Sequence, residues 1–236
     1  MKILALETSA VAASAAVCED EGLLAQSFQR TGLTHSATLM PMVESMLKNA
    51  GLTLAEMDLI AVAAGPGSFT GLRIGVSAAK GLAWPAEKPC AGVSTLEAMA
   101  WQLCGMEGVV CAAMDARRQQ VYNALFELVD GKPVRLSPDR AISLEELQGE
   151  LRNIEKTQIM VGDGAHLCYN AFQKYGYPVK MAPPHLLFQS AWGVARCALE
   201  QACTGSLTDA AGLIPNYHRL SQAERERLAK QNVKGQ

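Results

Sequence analysis

The stretch "AGPGSFTGLRIGVSAAKGLA", residues 64–83, sets the reading of this chain. Gly65-Pro66-Gly67 gives a sharp exit from an apolar run, and Ser68 or Thr70 can cap a following helix, predicted over 68–83. A phosphate-binding G-x-x-x-x-G-K-[ST] loop does not occur here, because Lys80 lies well inside the helix. Gly71, Gly75 and then Gly81 or Leu82 recur at helical spacing. A glycine inside a helix costs about 1 kcal/mol relative to alanine, so repeated glycines point to close approach of another backbone. That neighbour is either the protein's own sheet or a helix of another subunit.

Upstream, "MDLIAVAAG" (57–65) reads as a strand buried on both faces. Before it, 2–9, 12–20 and 22–30 form three short strands with tight connections, an antiparallel meander. Between them and 57–65, Leu39, Met42, Val43, Met46, Leu47 and Ala50 fall at helical spacing over 34–50. Thr34 or Ser36 caps that helix and Gly51 stops it. Downstream, Pro85 ends the glycine-bearing helix, 88–94 is a strand, and 95–104 is a third helix. A second unit repeats the theme. Residues 108–116 and 119–131 form a hairpin, the polar stretch 132–143 holds one short strand, and "SLEELQGELR" (143–152) is a helix with Ser143 and Glu146 as capping box. Residues 157–165 are a strand with a Gly-rich turn, followed by a helix and by a long closing helix over 186–205. The expected fold class is α/β, with two related mixed sheets, each a meander plus helices. The first domain is 1–106, with helices 34–50 and 68–83. The second is 107–215, its last helix 186–204 packing back on the first, and 216–236 is a polar tail.

Bulk properties narrow the function classes. The 236 residues carry a net charge of -2, so total charge asks for no polyanionic partner. Hydrophobic residues are 49% and charged residues 19%, an ordinary globular mix. The seven cysteines are irregularly spaced without Cys-x-x-Cys and read as reduced thiols. The four histidines form no local metal pair. No run reaches membrane-spanning length, and "MKILALETSA" reads as a strand and not a signal peptide, so a cytoplasmic location is expected.

Two meander-plus-helix units, the first strand ending in acid-Thr-Ser, are similar to the actin-like ATPase (ribonuclease H-like) superfold of actin, Hsp70 and sugar kinases. The segments "LALETS", "LMPMVESMLKNAGL", "GPGSFTGLRIGVSAAKGLA", "GVSTLEAMA", "DARRQQVYNALF", "GDGA" and "PNYHRLSQAE" narrow this further. Along nearly the whole chain they resemble the TsaB family, also called glycoprotease-like. The resemblance implies a non-catalytic subunit in threonylcarbamoyl modification of adenosine 37 of ANN-decoding tRNAs. It implies binding and activation of the related catalytic subunit TsaD, a ternary complex with TsaE, a homodimer when TsaD is absent, and tRNA contact only through the complex. ATP/ADP and metal would belong to TsaD or the complex, with no cofactor bound by the isolated chain. It places partner binding on the two early helices, at Leu39, Met42, Val43, Met46, Arg73, Ile74, Gly75 and Ala78.

The residues agree with that implication in two places. The catalytic relative carries a His-x-x-x-His metal pair where this chain has Thr95 and Met99. A hydroxyl and a thioether are poor substitutes for imidazole. At the first strand end, Glu7-Thr8-Ser9 stands where related kinases use Asp, and the turn after it lacks the glycines of a phosphate cradle. With Gly162 and Gly164 these residues read as a degenerate nucleotide cleft; the other reading of the two glycines is a tight strand-to-helix turn. Arg117-Arg118 is either a solvated hairpin turn or an anion or tRNA contact. The Met-rich stripe of helix 34–50, Met40 included, is wider than one sheet-facing side needs, which leaves either core or an outward, adaptable face. A small-molecule kinase-like phosphotransferase using Glu7 is the alternative function, and a metallopeptidase the more remote one.

Overall fold

The computed structural model describes residues 1–218. The first sheet has strand order β3-β2-β1-β4-β5. β1 (Lys2–Glu7), β2 (Ala13–Glu19) and β3 (Gly22–Gln29) are the antiparallel meander, and β4 (Leu59–Gly65) and β5 (Cys90–Ser94) join in parallel. The second sheet has order β11-β10-β6-β7-β8. β6 (Gly108–Asp115) pairs antiparallel with β7 (Gln120–Val129) and parallel with β10 (Gln158–Val161). The outer members are β8 (Lys132–Arg135), β9 (Arg140–Ser143), which also pairs with β7, and β11 (Val179–Met181).

Alternation in β1 sorts the core. Leu4 and Leu6 face α1 (His35–Ala50) and α2 (Phe69–Ala83), together with Val17, Ile60 and Val62. Ile3 and Ala5 face the other way, toward α6 (Ala191–Cys203) and the Ala98 and Trp101 side of α3 (Thr95–Trp101). The opposite side of α3, with Leu96, Met99 and Ala100, packs on the second sheet beside α4 (Leu144–Leu151) and α5 (Ala165–Phe172). α3 is therefore covered on both sides. The closing helix α6 lies on the first sheet, against β1, β2, β4 and β5.

Several local expectations shift. The closing helix begins at Ala191, because Pro183 and Pro184 hold 184–186 in a short 3-10 turn and Ser190 caps the helix through its hydroxyl. The polar stretch 132–143 yields two strands, β8 and β9. α3 stops at Trp101, short of the expected 95–104. The tail is not wholly solvated: Asn216 and Tyr217 pack on the body, while 219–236 lie outside the described residues. Ser143 does form the reciprocal box, accepting from the Glu146 amide at 3.1 Å while the Glu146 carboxylate accepts from the Ser143 amide at 3.1 Å. Ser143→Ala is expected to cost about 1 kcal/mol in urea denaturation.

Candidate functional site

The α2 entry is built from glycine. Gly65 sits at φ +137°, a region disfavoured for other residues. The Ser68 amide donates to the Ser9 carbonyl at 2.7 Å, and the Ser68 hydroxyl accepts from the Gly71 amide at 3.3 Å. A Cβ at Gly67 would lie 2.5 Å from the Ser9 carbonyl oxygen, and one at Gly71 would collide with the Thr8 carbonyl. At Gly75 it would lie 2.5 Å from the Thr8 hydroxyl and 3.1 Å from Val62. The Thr8 hydroxyl also donates to the Gly71 carbonyl at 2.8 Å. At Gly71 and Gly75 the intramolecular reading holds, because the helix needs them to lie on the end of β1; Gly81 is exposed and meets no neighbour. Gly75 is buried and is not part of an outward face.

The stripe on α1 is corrected in the same way. Leu39, Met42, Val43 and Met46 are 1, 4, 2 and 6% exposed and belong to the core over β2 and β3. β2 and β3 take this apolar side of the helix. Met40 is the methionine that turns out, at 41%. What remains at the surface is a groove of about 530 Å³ between α1 and α2, lined by His35, Met40, Phe69, Arg73, Ile74 and Ala78 among others. His35 is anchored at 2.7 Å from the Ala10 carbonyl. Arg73 and Phe69 both meet Tyr217, which sequence inspection missed. Tyr217 lies far along the chain, and no local pattern links it to α2.

The five residues expected to form the nucleotide cleft are all buried. Glu7, Thr8 and Ser9 are buried. The Ser9 amide donates to Glu7 Oε1 at 2.5 Å, while Glu7 Oε2 and the Ser9 hydroxyl have no hydrogen-bond partner. Burial pushes the Glu7 carboxyl up to about 7, against the pull of its Ser9 bonds and with help from nearby Asp163. Asp163 is raised to about 6, again chiefly by burial; the Gln189 amide at 3.1 Å opposes this and Asp115 adds to it. The Gly162 amide donates to the Leu187 carbonyl at 2.7 Å and the Gly164 amide to the Ala113 carbonyl at 3.0 Å. A Cβ at Gly162 would lie 2.9 Å from Met99 Sδ, and one at Gly164 would lie 2.9 Å from the Met114 carbonyl carbon. The packing-turn reading therefore accounts for both glycines. The Ser9, Gly162 and Gly164 amides are bonded within the protein, and the Glu7 carboxyl is buried. A magnesium-nucleotide group does not fit this arrangement.

Thr95 and Met99 are both fully buried, and the Met99 sulfur closes against the Gly162 turn. Among the described residues no group of three His, Cys, Asp or Glu could hold a metal ion. No helix among them is long and apolar enough to cross a membrane. Arg117 and Arg118 are exposed on the β6–β7 turn at φ +64° and +57°, with the Arg117 amide bound to Asp115 at 2.7 Å. Nothing brings them to the groove.

A family model described as TsaD: tRNA N6-adenosine threonylcarbamoyltransferase matches residues 29–224. The chain is 31% identical over 227 residues to the tRNA threonylcarbamoyladenosine biosynthesis protein TsaB of Bacillus subtilis (strain 168), spanning 95% of this chain and 96% of that protein. Against the protein of the same name from Escherichia coli (strain K12) it is 42% identical over 130 residues, 54% of this chain and 55% of the relative. The solved structure of YeaZ from Pseudomonas aeruginosa superposes with a TM-score of 0.78 at 26% identity, covering 92% of this chain and 99% of that one. The two mixed sheets with their helices, and these matches, define a member of the actin-like ATPase superfold. The chain belongs to the TsaB family within the TsaD-related group.

Proposed function

We propose that the chain serves tRNA threonylcarbamoyladenosine biosynthesis as a non-catalytic subunit that seats and activates TsaD on the α1–α2 groove. The groove carries the reading: two adjacent helices present Ile74 and Ala78, partly buried, beside exposed Met40, on the surface. Apolar side chains on paired helices fit a matching pair from a related chain, as a four-helix packing. The same face would serve a homodimer when TsaD is absent, with TsaE joining the ternary complex and tRNA met only through it, in the cytoplasm. ATP/ADP and metal would reside on TsaD or the complex, in keeping with Thr95 and Met99 in place of imidazoles. The phosphotransferase alternative needs an accessible ionised acid and free backbone amides; against it, Glu7 is buried and the Ser9, Gly162 and Gly164 amides are bonded internally.

Met40→Asp and Ile74→Asp test the groove. Each places a charge on an apolar contact, and each is expected to weaken association with TsaD at least about tenfold in titration calorimetry. The same variants should lower the modified nucleoside when they replace the wild-type protein in a depletion strain. Undiminished binding by both would overturn the assignment of this surface.

A further inference from the structure

The last described residues of the chain follow a built path. Thr208 exchanges backbone hydrogen bonds with Cys90 at 2.7 and 2.9 Å, at the open edge of β5. Lys80 on α2 donates to the Ala211 carbonyl at 3.2 Å, and Leu213 is buried against Gly92. The Asn216 amide then donates to the Ala64 carbonyl at 2.7 Å. The strap crosses so close to Gly65 that any Cβ there would strike the Asn216 carbonyl. It delivers Tyr217 to Phe69 and Arg73, two residues that line the groove. The Tyr217 ring stacks on Phe69 with centroids 4.3 Å apart and planes 10° apart. The Arg73 Nε donates to the Tyr217 hydroxyl at 2.9 Å, and its guanidinium carbon lies 5.8 Å from the centroids of both rings.

We propose that Tyr217 is a positioning residue of the partner face, holding Arg73 and Phe69 in the conformation that a docking subunit meets. This rests on the reading of the α1–α2 groove as the seat of TsaD. An arginine on a helix surface has many rotamers, and ordering it on binding weakens association. The ring stack and the Nε bond restrict it beforehand. Arginine and aromatic side chains also dominate interface energetics where they are held rigid in well-packed surroundings. The chain's end thereby sets the affinity of a surface made by its early helices, without itself lining the groove.

The test is calorimetric titration of the full chain with the TsaD of the same organism. Tyr217→Ala is expected to weaken binding about tenfold, and Tyr217→Phe, which keeps the stack and loses the Nε bond, about threefold. Adding Arg73→Ala to Tyr217→Ala should cost much less than Arg73→Ala costs in the wild-type chain, a non-additivity that a merely structural role would not produce. Unchanged or tighter binding by Tyr217→Ala, or strictly additive losses, would overturn the proposal. Met40→Asp separates the two levels. If it and Ile74→Asp both bind normally, the groove reading itself fails; if either is impaired while Tyr217→Ala is not, only the role of Tyr217 fails. No association of the wild-type chain removes both.

Discussion

Glu7→Gln is expected to raise stability by about 3 kcal/mol at pH 8 and by about 1 kcal/mol at pH 5. The carboxyl is fully enclosed and titrates near 7 in the folded chain, against an ordinary value of 4.5. A raised carboxyl means that the native state holds its proton more tightly than the unfolded chain does. The native state is therefore unpenalised below pH 4.5. It loses stability as pH rises from there through about 7, and the loss is then complete. The charged group that bears on Glu7 is Asp163, itself raised to about 6, and Asp115 bears on Asp163 in turn. Ionising either of the inner two makes ionising the other harder, so the wild-type profile should be steep between pH 5 and 7. Glutamine keeps an acceptor for the Ser9 amide at that position and cannot ionise. Urea denaturation across pH 5–8 reads the result, and parallel profiles for wild type and variant would contradict the buried-acid account. In a relative that grips magnesium, a strand-end acid must be charged and reachable. Glu7 is fully buried at the end of β1 and that burial raises its carboxyl to about 7, which opposes both requirements.

The strands and helices of the first half could be read along the chain because each signal there is local. The seven buried residues of β4 are a continuous apolar run, Gly51 ends α1 in a left-handed conformation, and Ser68 caps α2 through its hydroxyl. Short elements were less legible. β11 has three residues and β9 four, too few to show a period. Leu186 to Phe188 looked like the first turn of α6, although the Ser190 cap was present in the sequence as a competing signal. The candidate site was legible as a region and misread residue by residue. The resemblance sets Leu39, Met42, Val43 and Met46 on a partner face, and a side-chain count does not reveal that β2 and β3 take that side of α1. The glycines of α2 announced close approach, but the neighbour that required it, the end of β1, lies more than sixty residues earlier. Tyr217 reaches Arg73 across 144 positions, and such a pairing exists only in the folded chain.

Gly71→Ala and Gly81→Ala, the same change made twice on one helix, should move stability in opposite directions. Both glycines lie within α2, where alanine is preferred by about 1 kcal/mol on helix propensity alone. At Gly81 a Cβ would meet nothing within 4 Å, so the substitution should realise much of that gain. At Gly71 the added carbon would press on the Thr8 carbonyl, a buried backbone atom just past the end of β1 that cannot rotate aside. The Gly71 carbonyl also receives the buried Thr8 hydroxyl at 2.8 Å, so lifting the helix to make room strains that bond. Overpacking of this kind costs about 1–3 kcal/mol or more, enough to exceed the propensity gain. Gly71→Ala should therefore unfold at lower urea than wild type and Gly81→Ala at higher, with equal m-values showing that both act on the native state. A stabilising Gly71→Ala would mean that α2 stands off the end of β1. The close contact at Thr8 would then no longer explain why this helix is built from glycine.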